Sequence, residues 1–156
     1  MNNRCIVLEN IRSAYNVGTI IRTADALGYD VVLSGYTPNP ETEEKVRKTS
    51  LGAEAQVTLL SFWNPDEAIL FLQKEGYQLI AAECTADSVS LETIQEMEVS
   101  KKIALIVGNE KTGVFAATLQ ACRIVTHIPM RGVKESLNVA EAAAIVMREM
   151  RERGEN

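Results

Sequence analysis

A chain of 156 residues, 46% hydrophobic and 24% charged, is one domain's worth of polypeptide with enough apolar residues for a sizeable core. No apolar run approaches the roughly 18 residues that a bilayer span requires, and the opening MNNRCIVLEN lacks the basic-then-apolar plan of a secretory signal. The net charge of −5 argues against a nucleic-acid binder that is basic all over, but it allows a local basic patch, or two patches joined by subunit association.

Residues 4–8 (RCIVL) predict a short buried strand, and residues 16–27 a helix with Asn16 as N-cap and Gly28 just past its end. Val17, Ile20, Ile21, Ala24 and Leu27 form one face of that helix. A strand follows at 30–33, a Gly/Pro loop at GYTPNP, a charged surface helix at 41–49 and a strand at 56–60. Pro65 opens a helix through Lys74, and Gly76 separates it from the strand 77–83, YQLIAAE. The β-type run IALIV (103–107) precedes a short helix near 114–121, a strand at 123–128 and an Ala-rich helix from about 137 to 151. Strands alternating with helices of about ten residues imply an α/β domain with a mostly parallel sheet flanked by helices. Ligands of such sheets gather beyond the carboxyl ends of the strands, here the loops after 83, 107 and 128. Cys5, Cys84 and Cys122 are odd in number, form no CxxC pair and lie in apolar stretches, which fits reduced core cysteines in a cytoplasmic protein. A single histidine, His127, gives no ligand cluster for zinc, so no metal is expected.

Three segments could carry chemistry. V-G-N-E-K-T-G-V (107–114) has two glycines between a buried strand and a helix, as suits a backbone that must approach a ligand. It is not a phosphate loop, since Val114-Phe115 stand where Lys-Ser/Thr would be, and no GxGxxG is present; taken alone it fits a plain tight turn better than a ligand loop, and both readings stay open. In I-P-M-R-G-V-K-E-S-L-N-V (128–139), Pro129 ends a strand and Ser136 is a natural N-cap for the last helix, whereas Asn138 is a weak helix former placed in the first turn. Arg22 falls opposite the apolar stripe of the first helix, so it is either a solvated arginine or a bidentate phosphate contact.

Together and in order, these segments resemble the motifs of the SpoU (TrmH-like) family of the SPOUT RNA 2′-O-ribose methyltransferases. N-V-G-T-I-I-R-T-A-D-A-L-G (16–28) matches the first motif, I-V-G-N-E-K-T-G (106–113) the second, and I-P-M with S-L-N-V (128–130 and 136–139) the third. The resemblance covers nearly the whole chain. It implies a single SPOUT methyltransferase catalytic domain over 1–156 without a separate RNA-binding domain, a C-terminal trefoil knot, and a homodimer. It further implies S-adenosyl-L-methionine as cofactor and tRNA or rRNA as substrate. Cys84, Thr85, Gly108, Asn109, Glu110, Gly113, Ile128, Met130, Ser136 and Leu137 would then bind the cofactor, with backbone groups at Gly108, Ile128 and Leu137 holding the adenine. Arg22 would be the key catalytic residue, oriented with the substrate by Asn16, Glu110, Ser136 and Asn138. A guanidinium is a poor base, so Arg22 is expected to position the ribose and phosphate. Arg12, Arg22, Lys45, Arg47, Lys48, Lys111, Arg131 and Lys134 are candidates for the RNA surface. The last helix, nearly apolar all round from Val139 to Met147, asks for burial on more than one side. Two competing readings are an RNA-binding or assembly module of the same fold without turnover, and a nucleotide-binding α/β regulator.

Overall fold

A computed structural model describes residues 1–151. Among these residues seven parallel strands form one sheet: β1 (Arg4–Glu9), β2 (Asp30–Ser34), β3 (Leu59–Phe62), β4 (Gln78–Ala82), β5 (Val89–Ser90), β6 (Ile103–Val107) and β7 (Ile124–His127). Their spatial order is β3-β2-β1-β6-β4-β7-β5. The helices are α1 (Ala14–Leu27), α2 (Glu44–Ser50), α3 (Pro65–Lys74), α4 (Ala116–Ala121) and α5 (Val139–Arg151). No helix among the described residues is long and apolar enough to cross a membrane.

The central strands are buried on both faces, which is why β2 and β6 read as unbroken apolar runs rather than as alternations. Alternate side chains face opposite layers. Ile6, Leu8, Leu105 and Ile80 pack under α1 and α5, while Cys5, Val7, Ile106 and Leu79 pack under α3, α4 and Val114 before it. From β3 the chain crosses to β4, runs out to β5 at the far edge, and returns to insert β6 between β1 and β4. The carboxyl ends of β4, β6 and β7 are thereby brought side by side.

The element types match the sequence reading, and the differences lie at ends and caps. The N-cap of α1 is Ser13, whose hydroxyl accepts from the Asn16 amide, so Asn16 sits inside the first turn rather than before it. Gly28 ends α1 in the left-handed conformation, as its sequence position suggests. Helix α5 begins at Val139, and Asn138, not Ser136, caps it: its Oδ1 accepts from Ala140 N at 2.8 Å. That resolves the oddity of an asparagine in a first turn, because Asn138 is at the position asparagine favours. One face of α5 (Ala140, Ala143, Val146, Met147 and Met150) is buried and Ile145 is exposed, so within the chain the helix is covered on one side. The two-residue β5 and the 3₁₀ turns at Ala53–Ala55 and Thr93–Glu96 carry no periodicity long enough to have been read.

Candidate functional site

Loops after β4, β6 and β7, with the segment leading into α5, enclose a cleft of about 780 Å³ at the carboxyl edge of the sheet. That volume suits a nucleoside-sized ligand. Of the residues expected to bind a cofactor or to act in catalysis, Cys84, Gly108, Asn109, Glu110, Gly113, Ile128, Met130, Ser136, Leu137 and Asn138 line it. Thr85 lies one residue beyond the wall, its amide and carbonyl both engaged by the Ser88 hydroxyl.

The loop after β6 is closed by its own ends. Asn109 and Gly113 exchange backbone hydrogen bonds, and Gly113 takes a φ of 72°, a left-handed geometry that glycine adopts without strain. A Cβ on Gly108 would lie 2.3 Å from Gly113 C and Val114 N, so no side chain fits at that position. The buried Asn109 side chain is turned into the protein: Oδ1 accepts from Lys111 N and Thr112 N, and Nδ2 donates to Asn10 O and the Tyr36 hydroxyl, each at 2.8 Å.

Glu110 joins this loop to α1. Its oxygens accept from Arg12 N and Ser13 N at 3.0 Å and from Asn16 Nδ2 at 3.2 Å, at the end of α1 where free N–H groups and the helix dipole favour an anion. Partial desolvation pushes the Glu110 carboxyl up, but hydrogen bonds from the Arg12 amide, its own amide, the Ser13 amide and the Asn16 side chain together hold it below the ordinary glutamate range. Asn16 then passes the connection on, since its Oδ1 accepts from Asn138 Nδ2 at 3.2 Å. One hydrogen-bonded chain, Glu110–Asn16–Asn138–Ala140, thus links all three sequence motifs, and with Glu110 accepting at one end each amide has a single consistent orientation.

Two acidic residues that sequence reasoning passed over also grip the loop. Glu83, just past β4, lines the cleft; its Oε2 accepts from Val114 N at 3.0 Å and its Oε1 from Cys84 N at 3.1 Å. Glu9, at the end of β1, accepts from Phe115 N at 2.7 Å and the Thr118 hydroxyl at 2.6 Å. Burial pushes the Glu9 carboxyl above its usual range, against the lowering effect of those two hydrogen bonds. The available signal was an acid ending an otherwise apolar strand (RCIVLE, QLIAAE) on the edge where ligands collect.

Arg22 is exposed on α1 and faces elsewhere: it lines a separate recess with Asp25, Ser50, Leu51, Gly52, Ala53 and Gln56. Six residues beyond Asn16, it is displaced by about 9 Å along the helix and roughly 240° around it. Arg12, Lys111, Arg131 and Lys134 are exposed on the carboxyl-edge loops, Arg131 pairing with Glu92 at 3.7 Å. Lys45, Arg47 and Lys48 project from α2, where Lys48 pairs with Glu44 at 3.3 Å. Among the described residues no three His, Cys, Asp or Glu side chains gather to hold a metal ion.

The sequence profile of the SpoU rRNA Methylase family matches residues 3–148. The chain belongs to that family. Among curated SpoU-family relatives, it is 29% identical over 150 residues to a 23S rRNA (guanosine-2′-O-)-methyltransferase, RlmB, of Coxiella burnetii, covering 96% of this chain and 58% of that one. It is 32% identical over 151 residues to a tRNA (guanosine(18)-2′-O)-methyltransferase of Borreliella burgdorferi, covering 94% of this chain and 65% of the relative. The chain therefore spans a little over half the length of the first of these relatives. The crystal structure of an AdoMet-bound rRNA methyltransferase from Sinorhizobium meliloti superposes with a TM-score of 0.86 at 32% identity, over 96% of this chain and 56% of the other. A structure described as concerning 2-OH methylation of C/U34 on tRNA superposes at 0.80 with 25% identity, over 98% of this chain and 97% of its own.

Proposed function

We propose that this chain transfers a methyl group from S-adenosylmethionine to a ribose 2′-hydroxyl of tRNA or rRNA. The observation that carries the reading is the hydrogen-bonded chain Glu110–Asn16–Asn138, which draws three distant motifs onto the rim of one cleft. The cleft fits the cofactor. Apolar groups at Ile128, Leu137, Val139 and Ala142 can receive an adenine face, and Gly108 leaves the main chain of the β6 loop bare beside them. Gly108, Ile128 and Leu137 would hold the adenine edge through main-chain groups, with Cys84, Asn109, Gly113 and Met130 completing the walls and Thr85 just outside them.

When bound, the cofactor supplies a methyl group already activated by a sulfonium centre. The protein must align the ribose oxygen with it, so that the O–C bond forms as the C–S bond breaks to leave a neutral thioether, and must let the hydroxyl proton pass to phosphate or water. Ser136 and Asn138, at the exposed start of α5, would hydrogen-bond the ribose, a role supported by the contacts that lock Asn138 to Asn16 and Ala140. Glu110 acts through Asn16 and through the N-terminus of α1. Arg22 stays protonated, positions the ribose and adjacent phosphate, and stabilises negative charge on the attacking oxygen.

Because Arg22 lines a different recess of its own chain, the reading assigns the Arg22 at each cleft to a second copy, in a homodimer with shared sites. The exposed Ile145 side of α5 is available for such an interface. Mixing Arg22→Ala chains with Asn138→Ala chains tests this: each variant alone is inactive, and the mixed dimer recovers methyl transfer from one intact site. Absence of recovery in a mixture verified to contain heterodimer would contradict the shared site. The C-terminal trefoil knot belongs to the same reading, supported by the path of the chain, which swings out to β5 between β4 and β6 while α5 returns from β7 to pack against α1, β4 and β6.

A further inference from the structure

The geometry points to Glu83 as the group that receives the ribose diol of the cofactor's adenosyl moiety, an inference that rests on the methyltransferase reading above. Glu83 stands where the three cleft-bearing strands meet. Its own amide donates to Thr126 O on β7 at 2.9 Å, it follows directly on β4, and its carboxylate accepts from Val114 N in the loop after β6. The side chain is therefore fixed from both sides. Gly113 preserves this contact, since a Cβ there would lie 2.3 Å from Glu83 Oε2.

A carboxylate offers about four acceptor positions, and the two amides occupy one on each oxygen. One position per oxygen is left on a group that forms part of the cleft wall. Glu110, also in the cleft, is instead turned to Arg12 N, Ser13 N and Asn16 Nδ2 at the start of α1. A ligand matched to Glu83 should carry two hydrogen-bond donors on adjacent atoms, spaced to meet both oxygens. Within an adenosyl compound the 2′,3′-diol is that group. On the methyltransferase reading the adenine edge would instead meet main-chain groups in the apolar part of the cleft. Glu83 thus does two things with one carboxylate: it holds the β6 loop through Val114 and grips the ribose through its remaining lone pairs.

The test is calorimetric binding to the full chain of three probes: S-adenosylhomocysteine, 5′-methylthioadenosine (which lacks the amino-acid end) and 5′-methylthio-2′,3′-dideoxyadenosine. Each is measured with wild type and with Glu83→Gln, which keeps the size and an acceptor for Val114 N. The expected result is that Glu83→Gln weakens the first two probes by about tenfold to a hundredfold. The dideoxy probe should bind both proteins equally weakly, so that the two losses are not additive. The inference is overturned if Glu83→Gln weakens the dideoxy probe as much as methylthioadenosine, which would leave only loop positioning. It is equally overturned if methylthioadenosine binding is unchanged while S-adenosylhomocysteine weakens, which would put Glu83 at the amino-acid end. Glu83→Asp, with the charge kept and the reach shortened, carries the same comparison if the glutamine variant does not fold. Failure of wild type to bind S-adenosylhomocysteine at all would sink the methyltransferase reading and this inference together; normal wild-type binding with additive losses sinks this inference alone.

Discussion

Replacing Asn16 with alanine removes the middle link of the chain that ties the three motifs together. Asn16 is 5% exposed and makes two side-chain bonds at 3.2 Å, one given to Glu110 and one accepted from Asn138. Glu110 keeps its two backbone donors, and Asn138 lies at the surface where water can replace its lost partner. The stability cost is therefore set mainly by one hydrogen bond to a partly solvated charge, about 1–2 kcal/mol. In a domain of this size that lowers the melting temperature by roughly 2–8 °C. The effect on catalysis is larger, because Asn138 loses the contact that holds its amide at the cleft rim, and a displacement on the order of 1 Å costs about a hundredfold in rate. Differential scanning fluorimetry and single-turnover methyl transfer, run on the same preparation, measure the two effects. A rate within twofold of wild type, with an unchanged melting temperature, would refute the claim that this chain organises the site.

Glu110, held below its ordinary range, adds stability that is present above the unfolded-state value and is lost as pH falls through the folded value. The urea midpoint of wild type should therefore approach that of Glu110→Gln as pH is lowered from about 7 to about 3. Glu9 has the opposite sign: its raised folded value makes wild type lose stability as pH climbs from the ordinary glutamate range through that value, a decline that Glu9→Gln should remove in the same titration. Burial, followed by the charge of Glu9, pushes the Cys122 thiol up to about 12, and burial pushes Cys5 well above the usual thiol range. A small disulfide reagent should then find one fast thiol per native chain, Cys84 in the cleft wall, and S-adenosylhomocysteine should slow it; three fast thiols, or labelling indifferent to that ligand, would be the contrary result. Gly18→Ala should cost about 1–3 kcal/mol in urea unfolding, because its Cβ would stand 2.3 Å from Val46 O where α1 crosses α2.

The architecture was legible because the strands are buried on both faces and separated by punctuated helices. IALIV and Pro65–Lys74 were bounded correctly by Gly108, Pro65 and Gly76. The candidate cleft was legible as a set of loops, since a parallel sheet gathers its ligand-facing loops at the carboxyl edge. What the sequence hid were partners distant along the chain. Asn16 looked like a cap because asparagine favours that position, yet its amide is needed by residues 94 and 122 positions away. Ser136 looked like a cap for the same local reason, and the helix starts later because Asn138, steadied by Asn16, caps it instead. Glu9 and Glu83 were invisible to periodicity: their role depends on which strand lies beside which, and the insertion of β6 between β1 and β4 is not a local property.

The central claim is tested most directly by incubating the purified chain with tritiated-methyl S-adenosylmethionine and unmodified tRNA and rRNA, digesting the RNA to nucleosides, and identifying the labelled product. The account predicts label in a 2′-O-methylnucleoside, abolished by Arg22→Ala without loss of S-adenosylhomocysteine binding. Label on a base, or full transfer by the Arg22→Ala chain, would contradict it.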